Sequence, residues 1–199
     1  MATAERVRTA ALACTVGGAL WLVVLMGDVV AHGTIYDSAT SYRVWEAVLV
    51  LVDVLLLAGV VGLAWSGAVG DCLLGRVGLG IALLGRVAFL AGEVHSVVQG
   101  RDDELLVPVG AVLTALGMLL AGIAVLRARR WDGWHRLTPL LIGVYPFVAM
   151  FPILALTGEP PALGIALWGI PWLLLGLAVR AEAAATVVAR PSIPAPASA

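Results

Sequence analysis

Apolar runs of about twenty residues alternate with short polar connections along this chain, and each run has the length a helix needs to cross a hydrocarbon core roughly 30 Å thick. Six such runs are present, at about 10–32, 44–66, 76–98, 105–127, 137–157 and 162–181. Backbone groups in lipid must find their partners within the segment, so helices are the predicted form. The connections 33–43, 67–75, 99–104, 128–136 and 158–161 are too short to hold a soluble domain. The pattern predicts an all-α, polytopic membrane helical bundle with six transmembrane helices. Residues 1–183 make its single domain, and the Pro/Ala-rich segment 184–199 is expected to be a disordered tail.

Polar residues interrupt this pattern unevenly. Spans four to six carry no charge in their interiors, whereas the first three hold Asp28, His32, Glu46, Asp53, Arg86, Glu93 and His95. A charge at the bilayer centre costs roughly 2.5–3.5 kcal/mol on insertion scales, so such residues turn toward protein or water and take partners. At a rise of about 1.5 Å per residue, Asp53 and Arg86 both reach the midplane, and an ion pair between them is expected. The other five lie nearer the outer surface. Glu46 and Asp53 are seven residues apart and share a helix face, as do Arg86 and Glu93; Asp28 and His32, four apart, share another. Gly78, Gly85 and Gly92 run beside the Arg86/Glu93 stripe at the same spacing, and a glycine stripe lets a second helix come close. Span three is therefore expected at the centre, packed through glycine. Its charged stripe should face spans one and two around a polar pocket open to the outside.

Four roles for these residues stay open. The charges lock the bundle; or Asp53, Arg86, Glu93, Glu46 and Asp28 bind or conduct a small ion, proton or polar solute. Alternatively His32 and His95, with Glu93 and Asp28, hold a divalent metal for a carrier or a membrane enzyme. The last reading is that the polar face pairs with another membrane subunit. The leading functional expectation is binding or transport of a small ion or polar solute. The alternatives are a structural or accessory subunit and a metal-dependent membrane enzyme. No cofactor is expected unless the metal reading holds, and Glu93-x-His95 does not put its two side chains on one helical face.

Residues 79–92, LGIALLGRVAFLAG, and 163–176, LGIALWGIPWLLLG, agree at eight of fourteen positions. They fall in spans three and six, which run in opposite directions. A 3+3 inverted repeat gives this arrangement; so does chance recurrence of Leu, Gly and Ala in membrane helices.

Composition fits the same class. The chain has 199 residues, 61% hydrophobic and 13% charged, with mean hydropathy +1.03; soluble domains run nearer 45–50% apolar and about 25% charged. A net charge of -1 gives no sign of a nucleic-acid partner. All twelve basic residues are Arg, a bias typical of GC-rich genomes, and without lysine there is no retinal Schiff base. The arginines gather at the N-terminus (Arg6, Arg8), at Arg76, in the loop Arg127–Arg136 and in the tail. The opposite side has only Arg43 and Arg101 among Asp37, Asp102, Asp103 and Glu104. The positive-inside rule then puts both termini in the cytoplasm of a cell with this chain in its plasma membrane. Residues 1–31 also fit a cleaved signal peptide, which would leave five spans.

Trp21, Trp45, Trp65, Trp131 and Trp134 are candidates for interfacial belts, and Cys14 and Cys72 for packing. Pro146, Pro152 and Pro171 are expected to kink spans five and six. The loop RARRWDGWHR, 127–136, suits anionic headgroups. Membrane lipids are the expected partners, with a homo-oligomer or a partner membrane subunit as further possibilities. Nucleotide-binding loops and hydrolase motifs are missing from the chain.

Overall fold

A computed structural model of the chain describes residues 2–31, 38–159 and 161–188. Its elements are α1 (Ala2–Ala31), α2 (Ala39–Ser66), α3 (Leu73–Gln99), α4 (Leu106–Ala128), α5 (Thr138–Tyr145), α6 (Phe151–Thr157), α7 (Ala162–Leu167) and α8 (Gly169–Val188). A 3-10 turn, His135–Leu137, leads into α5, and a π-helical turn, Pro146–Met150, joins α5 to α6. Among the described residues, six helical segments are long and apolar enough to cross a membrane; α5 with α6 make the fifth and α7 with α8 the sixth. This is an all-helical, multi-pass membrane bundle.

The expected spans recur with extended ends. The first helix begins at Ala2 rather than near residue 10, and the last runs to Val188, past the expected boundary at 183. The Ala-rich sequence there favours helix over coil. Residues 189–199 and the candidate ligand His32 lie outside the described residues.

Successive spans pack as neighbours, and the bundle closes where α8 returns to α1. Glycine makes the two tightest seams. A Cβ on Gly85 would stand 2.4 Å from the backbone nitrogen of Thr114, and one on Gly117 would stand 2.2 Å from that of Ala82. The stripe Gly78, Gly85, Gly92 thus presses α3 onto α4, which leaves the face with Arg86 and Glu93 free to meet α2. At the closing seam, Gly18 and Gly176 bring α1 against α8 at Leu173 and Thr15.

The two fourteen-residue segments place their matched glycines alike. Gly85 and Gly92 press on α4, the first span of the second half; their counterparts Gly169 and Gly176 press on α1, the first span of the first half. A Cβ on Gly80 would meet nothing within 4 Å, and one on its counterpart Gly164 would meet, outside its own segment, only Met150 of the adjacent fifth span.

One of the span-interior prolines is compensated locally. Pro146 has no N–H to give Ile142, and the indole N–H of Trp168 donates to that carbonyl instead, at 3.1 Å. The chain breaks between α7 and α8 at Trp168, and two side chains cap carbonyls near the break. Tyr145 donates to Gly164 O at 2.9 Å and Trp21 to Ile165 O at 2.8 Å. Trp21 is therefore a core residue, 3% exposed and in contact with Phe89 and Trp168, and not part of an interfacial belt. Trp131 is likewise buried, whereas Trp65 and Trp134 are about half exposed at 50% and 48%. Cys14 is buried against Gly59, as expected of a packing residue; Cys72 is exposed and packs little. In the arginine-rich loop, Arg130 binds Gly67 O and Asp71, so part of that loop's charge ties it to the α2–α3 connection.

Candidate functional site

The charged residues of α2 and α3 meet along one antiparallel seam. At its deepest point Arg86 donates to the Asp53 carboxylate; the two are 0% and 1% exposed. The guanidinium also lies over two rings, 4.9 Å from the centroid of Phe89 and 5.3 Å from that of Trp172. The fixed charge is thus met by one carboxylate and by aromatic faces whose quadrupoles attract cations. Burial outruns hydrogen bonding here. Arg86 Nε and Nη1, Asp53 Oδ2 and Trp172 Nε1 are buried without a hydrogen-bond partner among the described residues.

Seven residues toward the distal end, the one opposite the N-terminus, Glu46 of α2 and Glu93 of α3 stand beside each other in the seam. Antiparallel helices step outward together, so a pair at the midplane implies a second pair two turns away. Both are nearly buried, at 5% and 6% exposure. One turn further out stand Tyr42 and Ser96. The Tyr42 hydroxyl donates to Asp102 Oδ1 at 2.7 Å, and Ser96 donates to Gly92 O and accepts the Asp103 N–H.

The seam ends at the α3–α4 connection. Asp103 accepts the first backbone N–H groups of α4, from Leu106 and from Leu105 at 2.9 Å, and meets His95 Nδ1 at 2.8 Å. The Leu106 and Leu105 amides, with His95 beside them, hold the Asp103 carboxyl below the usual carboxylate range. Asp102 and half of His95 reach solvent. Polar groups therefore recur along the seam from the surface to the midplane, although no hydrogen bond or ion pair joins Arg86 and Asp53 to Glu46 or Glu93 among the described residues.

Four of the five expected binding residues, Asp53, Arg86, Glu93 and Glu46, are brought together. Asp28 is not. It sits half-buried near the distal end of α1, and no hydrogen bond or ion pair joins it to the seam among the described residues. The arrangement also differs from an open pocket among spans one to three. It is a closed seam between α2 and α3, backed by Trp172 of α8 and by Phe89, with Cys14 of α1 bonded to Trp172 O at 3.3 Å. His95 meets Asp103, and no group of three metal-type ligands exists among the described residues.

Tyr42 and Ser96 were within reach of sequence reasoning, being four and three residues from Glu46 and Glu93 on the same helix faces. Trp172 carried no such signal, because only the closure of the bundle brings it to Arg86. Compared with known family models, curated proteins and solved structures, the chain matches none of them.

Proposed function

We propose that this membrane protein takes up a small cation, in the first place a proton, at the Glu46–Glu93 carboxyl pair, and passes it within a transport cycle. The observation that carries the reading is the alignment of that pair over the buried Arg86–Asp53 pair, with polar groups leading from both to the distal surface. Two carboxyls facing each other away from water hold one proton between them, since two adjacent negative charges are strongly disfavoured there. Arg86 and Asp53 nearly cancel, so the charge of the seam is set by the outer pair. Polar atoms left over at Arg86, Asp53 and Trp172 are of the kind that ordered water satisfies, which supports hydration at the inner end. The arginine distribution assigns the distal end to the outside, so entry is from there.

The test is an infrared titration of purified protein together with proton flux into proteoliposomes. A protonated-carboxyl band at neutral pH should vanish in Glu93→Gln and shift in Glu46→Gln, and each variant should lose flux while remaining folded. A native protein with neither band nor flux would sink the proposal.

A second reading has its own observation. Arg86 is clamped by Asp53, Phe89 and Trp172 from three spans, the geometry of a structural lock in an accessory subunit. Loss of fold, rather than of flux, would then follow substitution of the outer pair.

A further inference from the structure

A separate feature lies at the other end of the molecule, on the lipid-facing side of α1 and α2. There the two helices touch through small residues, Ala10 on Gly62 and Cys14 on Gly59. Beside this close contact a groove of about 660 Å³ runs between them. Its floor is Ala10, Ala13 and Ala58, and its α2 wall extends from Val54 to Trp65. That stretch of helix measures about 16 Å at 1.5 Å per residue, against about 15 Å for half of a hydrocarbon core. The groove therefore spans one leaflet.

Its mouth is polar. Glu5, Arg6 and Thr9 line it where α1 begins, beside Trp65, which is 50% exposed. A guanidinium forks onto phosphate oxygens, and a carboxylate beside it suits an ammonium group. An indole at the same level marks the headgroup region.

We infer that this groove binds one phospholipid of the leaflet nearest the N-terminus, with an acyl chain along Ala13 and Ala58, its phosphate on Arg6 and a primary amine on Glu5. The ligand class is an aminophospholipid such as phosphatidylethanolamine. This site is independent of the carboxyl seam and stands whether or not that seam carries protons.

Trp65 supplies the probe. The full chain would be placed in vesicles of phosphatidylglycerol containing a minor fraction of chain-brominated lipid, either phosphatidylethanolamine or phosphatidylglycerol. The Trp65→Phe variant gives the background of the other tryptophans. Brominated phosphatidylethanolamine should quench Trp65 about two- to fivefold more effectively, the discrimination one exposed ion pair supplies. Glu5→Gln should erase that preference, and Arg6→Gln should weaken quenching by both lipids. Ala58→Leu, or Ala13→Leu should the first fail to fold, should fill the groove and remove the enhanced quenching. Equal quenching by the two lipids in the native chain overturns the inference. So does quenching unaffected by filling the groove, or an unquenched Trp65 in a chain that sediments as a dimer through this face.

Discussion

Arg86 has no solvent exposure, and among the described residues Asp53 is the one carboxylate bonded to it. Removing one member of such a pair leaves the other charge buried and unmet, which typically costs about 3–5 kcal/mol. Replacing both by apolar groups of similar size costs far less. Asp53→Asn and Arg86→Met should each therefore lower the melting temperature and the monodisperse yield in detergent sharply, and Asp53→Leu/Arg86→Met should recover most of the loss. Single variants as stable as the double one would show that the pair does not hold the bundle. At this scale the sequence was informative wherever a residue's depth and helix face decided its neighbour. Asp53, Arg86, Glu46 and Glu93 are all found by counting along two antiparallel rods. Trp172, Phe89 and Cys14 complete the surroundings of Arg86 through tertiary contact alone, and an apolar residue in an apolar span announces nothing. Asp28 stands apart from the seam for a related reason: charge within a span shows that a partner or water is needed, not which helix supplies it.

Glycine decides how the elements sit. A Cβ on Gly117 would stand 2.2 Å from the Ala82 backbone nitrogen, and backbone at that contact has nowhere to go. Gly117→Val should force α3 and α4 apart, costing about 1–3 kcal/mol or more, and should tilt α3 enough to disturb the Arg86–Asp53 contact. Gly80→Ala is the matched control, because a methyl group added there would meet no atom within 4 Å. A thermal-shift comparison of the two variants checks this, and equal stability would mean that the seam is not rigid. The heptad spacing of Gly78, Gly85 and Gly92 made a close helix contact legible, although not its partner. Short connections favour neighbours in sequence, and α4 is that neighbour. The same reasoning gives weight to the repeated segments, since glycines matched in sequence serve the same seam in each half. The breaks in spans five and six were legible as prolines, but Trp168 and Tyr145 replacing the lost donors were not. Those bonds exist only once the two spans are side by side.

For the molecule as a whole, an even number of spans puts the N-terminus, the α2–α3 connection, the arginine-rich loop and the end of α8 on one side. The positive-inside rule predicts that this side is cytoplasmic. Closure of the bundle by α1 also bears on the signal-peptide alternative. Cys14, Trp21 and Gly18 of α1 are buried against α2 and α8, so this helix is a wall of the bundle and its loss would expose the tightly packed face of α8. Two thiols report both points at once. Cys72 is exposed in the α2–α3 connection, whereas Cys14 is fully buried between α1, α2 and α8. A membrane-impermeant maleimide should label one site per chain in inverted vesicles and none in right-side-out vesicles, and Cys72→Ser should abolish labelling. Denaturant should then reveal a second reactive thiol, because Cys14 stays with the chain. Labelling from the right-side-out face would invert the orientation and with it the direction of entry into the carboxyl seam. A denatured chain with Cys72 as its sole thiol would mean that α1 had been removed, and the seam would then have lost the helix that holds Trp172 in place behind Arg86.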